Sequence, residues 1–334
     1  LSKTNVLDYL RERGVIGTDV SARISELSGG ISNTVIGVRW DGGAVVAKQS
    51  LPELRVSEEW EFDPRRIVVE ARCMAELGEI LKPGEVPELL DLDEENLAFV
   101  MTYAPPGGHV WKERLLAGEV DTDVAASAGD LLGRIHRGSR LHPDLAGRFA
   151  DLMPLVQGRV EPYHRTAALA HPDLARWIEE DIQRLITNRR TLVIGDFSPK
   201  NLLVYPDRVL ALDFEVAHWG DPSFDTAFLL THLVAKTIHM PNRAGQLLGA
   251  AQAFWSAYEA SAKGAGASDA DTSAELGMLM LCRADGKSRL EYLSTAEQDQ
   301  LRHLARSMIT GHRRPTTEAL DWVAGEVSSW GQAA

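Results

Sequence analysis

The chain has 334 residues, 44% apolar and 25% charged, an ordinary composition for a folded, water-soluble chain with two or three structural units and a large core. Lys plus Arg number 35 and Asp plus Glu 48, a formal charge of -13. That field repels nucleic acid and anionic membrane surfaces, and neither is expected as a main partner.

In chain order, residues 4–12 read as a short helix capped by Thr4. The opening "LSKTNVLDYLRERG" has no apolar run of the signal-peptide kind. From 23 to 50 the pattern is that of strands: "ARISELSGG", "NTVIGVRW" and "GAVVAKQS", the last two joined by the hairpin signal "WDGG". Residues 64–81 are helical, with Pro64 in the first turn and apolar residues at helical spacing. "LLDLDEENLAFVMTYA" reads as two strands around an acidic turn at Asp93–Asn96. Residues 1–103 thus form a small strand-rich unit, and "APPGG" at 104–108 marks a joint.

From 104 to 334 the chain is mostly helical. Helices are predicted over 122–137, 173–189, 222–240, 243–261, 273–293, 296–311 and 315–330, interrupted by short strands and loops at 191–213. Cys73 and Cys282 fall in apolar helical patterns without metal-ligand or disulfide spacing, as buried thiols in a reducing cytoplasm would. No apolar stretch has the length of a membrane span, and a cytoplasmic location is expected. The fold class is α+β: a small β-rich lobe and a larger helical lobe.

The chemistry concentrates in "VIGDFSPKNLLVYPDRVLALDFEVAHWGD", residues 193–221. Asp196 ends one apolar strand, Asn201 lies five residues on, Asp213 ends a second strand, and Glu215 follows. Phosphoryl transfer from ATP needs the phosphates held, a divalent cation bridging them, and the acceptor hydroxyl aimed in line. In the kinase arrangement an Asp contacts the acceptor hydroxyl, and an Asn five residues later and an Asp after the next strands hold Mg²⁺. The same scheme requires a strand Lys oriented by a helical Glu, positions filled by Lys48 and Glu70. It also requires a glycine hairpin before that strand. "LSGGISNTV" (27–35) supplies Gly29, Gly30, Ser32 and Asn33, whose backbone N–H groups could cap phosphate oxygens. No GxxxxGK[ST] occurs, which excludes a P-loop enzyme.

Taken singly, each feature has a plainer reading: a strand-end lysine is usually solvated, a helical Glu is usually a surface acid, and an "SGGIS" is usually a turn. Their joint occurrence in the right order points to catalysis.

These segments resemble the aminoglycoside phosphotransferase/choline kinase superfamily, small-molecule relatives of the protein kinases. "GDFSPKNLLV" is similar to the family's His-Gly-Asp-x-x-x-x-Asn loop, and "LALDFEVAHWGDPSFDTAFLL" to its Asp-x-Glu…Gly-Asp-Pro…Asp segment. "VVAKQSLPELRVSEEWEFDPRRIVVEARCMAEL" also resembles methylthioribose kinase, although that kinase lacks the loop Asn found here at Asn201. Ile194 departs from the family His. The resemblance implies a bilobal protein-kinase-like fold, Mg-ATP as donor and a hydroxylated small molecule as acceptor.

Carried over residue by residue, it makes Asp196 catalytic and Asn201 and Asp213 metal ligands; Glu215 reads as a further metal ligand or a structural acid, and Lys200 as a contact of the transferring phosphate or an exposed lysine. Asp221 and Asp225 become loop anchors. Residues 100–104 become the joint whose backbone meets the adenine, with Met101 and Tyr103 packing nearby. His136 reads as a satisfied core histidine. Arg283 and Lys287, four apart on a predicted helix, read as a solvated face or as ligands for an anionic acceptor. The alternative function is a nucleotide-binding regulator without turnover. A protein kinase is disfavoured, because no His-Arg-Asp is present and the metal triplet is Asp-Phe-Glu.

Overall fold

The computed structural model describes residues 1–27, 32–52, 54 and 60–332. Gly29 and Gly30, and the Arg55-Val56 pair of the methylthioribose kinase-like segment, lie outside the described residues.

Five antiparallel strands form the first sheet, in the order β1-β2-β3-β5-β4. They are β1 (Arg23–Leu27), β2 (Asn33–Trp40), β3 (Gly43–Ser50), β4 (Leu89–Asp93) and β5 (Ala98–Thr102). Trp40 pairs with Gly43, leaving Asp41-Gly42 as a two-residue hairpin turn of the type that suits strand twist. Side chains alternate across a strand, and this alternation places the site. Ile36, Val38, Val45, Ala47 and Val100 pack under α1 (Val6–Glu12), which contributes Val6 and Leu10. On the other face Phe99 and Met74 join the main core, beside Lys48. That face is covered by α2 (Arg66–Ile80), which buries Ile67, Glu70, Ala71, Met74 and Leu77.

After the joint come β6 (His109–Val110), α3 (Trp111–Leu116) and α4 (Thr122–Arg140), the last capped by the Asp121 side chain accepting from Asp123 N–H. Further helices span Ala175–Thr187, Ser223–His239, Ala244–Ala262, Asp269–Asp285, Thr295–Thr310 and Thr316–Gln332. The Ser223–His239 helix is buried from Ser223 to Ile238 and forms the centre of this region. Its apolar residues fall on every side, as an enclosed helix requires, and between them it buries Asp225, His232 and Lys236. Small strands β7 (Thr191–Val193), β8 (Leu202–Val204), β9 (Val209–Ala211) and β10 (His218–Gly220) form the pairs β7–β10 and β6–β8–β9. No helix among the described residues is long and apolar enough to cross a membrane.

Several expectations needed correction. The first helix starts at Val6 with Asn5 at its N-cap, one residue after Thr4. The helix expected at 273–293 runs over Asp269–Asp285, started by a Ser268 cap on Asp271 N–H. It stops where Gly286 N–H closes onto Cys282 O at 2.8 Å, so Lys287 lies beyond it. A π-helix at Val156–Arg165 and α3 had no counterpart in the sequence reading. Pro162 inside that π-helix lacks an N–H, and it masked the helical pattern. Cys73 and Cys282 are buried free thiols, as expected.

Candidate active site

Strand β7 delivers Ile194, Gly195 and Asp196. Gly195 has φ +75°, and a Cβ there would meet a Val216 side-chain carbon at 2.7 Å, so glycine is required. The N–H groups of Ile194 and Gly195 each donate to the Asp225 carboxylate at 2.7 Å. His136, fully buried, stands between that carboxylate (Nε2, 3.2 Å) and the Tyr258 hydroxyl (Nδ1, 2.8 Å), the core role expected for it. The loop is therefore braced from below through Asp225, while the Ile194 side chain fills apolar core. Asp221 accepts from Ser223 N–H at 2.9 Å and from Asn188 at 2.8 Å, and pairs with Arg184.

Asp196 sits in a ring of donors: Lys200 Nζ at 2.9 Å, Arg159 Nη2 at 3.1 Å and Ser198 Oγ at 3.2 Å. Burial by itself would raise this carboxyl, but Lys200 and Arg159 outweigh it and hold the pKa down at about 2. Asn201 Nδ2 donates to the Asp196 carbonyl at 3.1 Å, and Leu212 N–H donates to the Asn201 carbonyl at 2.9 Å. These two bonds lock the Asp196 loop to the Asp213 loop.

Asp213 has a left-handed backbone, φ +68°, which non-glycine residues rarely adopt and which marks functional loops. Its Oδ1 lies 2.8 Å from Lys48 Nζ, and the same ammonium contacts Glu70 Oε1 at 2.7 Å. Burial works against the Lys48 charge, yet Asp213 and Glu70 raise its pKa above the ordinary lysine value. Burial pushes the Glu70 carboxyl up to about 8, with Lys48 only partly offsetting it. Glu215 accepts from Ser32 Oγ and Asn33 Nδ2, both at 2.9 Å, and lies 3.3 Å from Arg66 Nε. It thus ties the start of β2 to the loop that carries Asp213. Carboxylate oxygens of Glu70, Asp213 and Glu215 come within 4.8 Å of one another, a hard-oxygen set that suits a divalent cation.

These residues open onto one cavity of about 540 Å³. Its walls run from Val35, Met74 and Met101, past Lys48 and Asp213, to Asp196, Arg159 and Tyr163. Tyr103 is not among the lining residues, a departure from expectation. It packs over Gly37 on the same sheet face as Val35 and Lys48, beside the cavity, where Arg39 stacks 4.0 Å from its ring centroid. The N–H groups of Thr102 and Tyr103 are occupied by Glu88 O and Ala44 O, so they do not face the cavity unpaired.

Sequence reasoning missed Arg66, Arg159 and Tyr163. Arg66 carried a usable signal, one helical turn before Glu70 on the same face. Arg159 and Tyr163 lie in the π-helix and had none.

A five-stranded antiparallel sheet with a buried Lys–Glu pair, set against helices that carry an Asp–Asn loop and an Asp loop, is a kinase-like fold. Residues 23–263 match the phosphotransferase enzyme family, APH, and the chain belongs to it. A rice (Oryza sativa) methylthioribose kinase is 22% identical over 279 residues, 74% of this chain and 65% of that protein. A second rice methylthioribose kinase is 23% identical over 67% of this chain and 58% of its own length. The chain therefore spans somewhat under two thirds of these relatives. The fold is similar to that of a choline kinase from Streptococcus pneumoniae, with TM-score 0.54, 14% identity, and 97% and 99% of the two chains covered. It is also similar to an amicoumacin kinase solved with AMP-PNP, Ca²⁺ and its ligand, with TM-score 0.53, 16% identity and 95% of each chain covered.

Proposed function

We propose that the protein is an ATP-dependent kinase that moves the γ-phosphate to a hydroxyl of a small molecule. The observation that carries this reading is the convergence of Lys48, Glu70, Asp196, Asn201 and Asp213 on one cavity. Lys48, fixed by Glu70, grips the donor phosphates. Asp213 and Asn201, with Glu215 close by, offer the oxygen donors for Mg²⁺, which when bound neutralises charge on the phosphates. Asp196, ionised throughout the neutral range, orients the acceptor hydroxyl and takes its proton late. Lys200, in contact with Asp196, is placed to meet the transferring phosphate. Met101, on the cavity wall, packs near the adenine. Residues 1–103 then hold the nucleotide and residues 104–334 the acceptor. A requirement for Mg-ATP suits a cytoplasmic location.

The test is ATP consumption by the purified protein against a panel of small alcohols, in wild type and Asp196→Asn. Turnover should fall by about 10²- to 10⁴-fold in the variant, the usual worth of a positioned proton acceptor, while the nucleotide still raises the melting temperature. Undiminished turnover by Asp196→Asn contradicts the assignment. Tight nucleotide binding with no acceptor consumed by wild type would favour a regulator.

A further inference from the structure

We infer that the acceptor carries an anionic group, a carboxylate or a phosphate, held by a cluster of cations next to Asp196. This rests on the kinase reading above and names the substrate class of the same site. Although the chain as a whole is acidic, this wall of the cavity is basic. Lys112, Arg159, Tyr163, Lys200 and Ser288 line it. Directly behind stand Arg283 and Lys236.

Arg283 is almost fully enclosed. Its Nη1 donates to the Tyr163 hydroxyl at 3.0 Å and the Ser288 hydroxyl at 2.7 Å, and its buried Nε has no partner. Tyr163 lies between two guanidiniums, Arg159 at 5.1 Å and Arg283 at 5.6 Å from its ring centroid. Lys236 is wholly buried. Its ammonium reaches only the His232 carbonyl at 3.2 Å and the Tyr292 hydroxyl at 3.4 Å, with the Tyr292 ring 4.9 Å away.

Among the described residues neither Arg283 nor Lys236 forms an ion pair with a carboxylate. Lys112, Arg159, Lys200 and Arg283, with Lys236 behind them, face Asp196, paired with Arg159 and Lys200, Glu291, paired with Lys112, and Glu113, which lines the same cavity. Buried charge without a counter-ion is costly, and a cluster of it is stabilised when an anionic ligand arrives. Nearby groups register the field. Burial lowers Lys236 to about 7, with Lys112 and Arg283 adding to the effect. Burial would raise the Tyr163 phenol, yet Arg283 and Arg159 bring it below its usual value.

Nucleotide phosphates do not account for the cluster. Lys48 meets them from the sheet and Lys200 from the catalytic loop, whereas Lys112, Arg283 and Lys236 stand on three other helices. A cationic acceptor such as an amino-alcohol would be repelled here. A carboxylate or phosphate on the acceptor would bind Arg283 and Lys112 once Ser288 gives way, leaving its hydroxyl at Asp196.

The experiment compares kcat/KM for matched hydroxy-carboxylates, sugar monophosphates, neutral sugars and amino-alcohols, in wild type, Lys112→Met and Arg283→Met. The first two classes, compared with each other, tell carboxylate from phosphate. Anionic acceptors should win, and each variant should lose about 30-fold or more on them, the worth of one charge-assisted hydrogen bond. Lys112 is partly exposed, so its variant keeps the test informative should Arg283→Met fail to fold. A neutral or cationic acceptor used as well as the anionic ones overturns the inference and leaves the kinase reading standing. Binding of inorganic phosphate to the complex with Mg²⁺ and AMP-PNP, measured by calorimetry, is the second readout. Saturable binding weakened about tenfold by Lys112→Met supports the anion site even where no acceptor turns over, in which case the kinase reading fails alone. Absent binding, or equal binding in the variant, overturns the site.

Discussion

At the scale of single residues, the Asp196 carboxylate is tuned by its neighbours more than by burial. Arg159 and Lys200 hold it ionised, so in the proposed transfer it would act by orientation and not as a base poised near neutrality. Its folded pKa is depressed, so its stabilising contribution is present above the ordinary carboxylate range and is lost as pH falls toward about 2. Arg159→Met removes one of the two cations. The acid limb of the phosphotransfer pH profile should then move up by roughly one unit, about 1.4 kcal/mol of differential interaction. An unmoved limb would show that Arg159 does not set the charge of Asp196. The acids and Asn201 were legible in the sequence because a fixed spacing after short apolar strands left few alternatives. Arg159 was not, since nothing in "VQGRVEPYHR" separates an inward-facing arginine from a solvated one. Tyr103 was misplaced for a related reason. Strand alternation gives Tyr103 the same face as Met101, but β5 ends at Thr102 and the ring packs against Gly37 and Arg39 beside the cavity, a placement the sequence does not reveal.

At the scale of elements, helix α4 and the Ala244–Ala262 helix meet backbone to backbone. A Cβ on Gly129 would lie 2.2 Å from the Phe254 carbonyl oxygen, and one on Gly133 would lie 2.8 Å from the Tyr258 carbonyl oxygen. The clashing atoms are main chain and cannot rotate aside, so Gly129→Ala should destabilise the protein by about 2–3 kcal/mol despite the better helix propensity of alanine. Chemical denaturation measures this, and a neutral or stabilising result would mean that the two helices can separate freely. This packing also positions His136 and Tyr258, and through them Asp225 and the Asp196 loop. Most helices were readable from apolar spacing, within a few residues at their ends. The Asp269–Asp285 helix was overextended, because "GKSRLEYL" keeps a helix-like spacing of leucines although Gly286 ends the helix. The acidic loop anchors were expected, but only the structure distinguishes Asp225, which carries the Asp196 loop, from Asp221, which is held by Arg184.

At the scale of the whole molecule, the sheet and the helical region share one apolar core through α2 and Phe99, and polar contacts add further links. Lys48 reaches Asp213, Ser32 and Asn33 reach Glu215, and Glu85 receives both Arg134 terminal nitrogens at 2.7 Å. The division into a β-rich and a helical part was plain in the sequence, since strand and helix periodicities segregate along the chain. The cationic wall was not, because its members come from five separate elements. The central claim is that Asp213 and Asn201 serve a divalent cation and nucleotide. Its most direct test is the melting temperature with ATP, with and without Mg²⁺, in wild type and Asp213→Ala. Ligand at a hundred times its Kd contributes about 2.7 kcal/mol, a rise on the order of 5 °C for a chain of this size. Wild type should show this rise with Mg-ATP and lose most of it in EDTA, and Asp213→Ala should show no Mg²⁺-dependent increment. An equal Mg²⁺-dependent rise in Asp213→Ala would contradict the account.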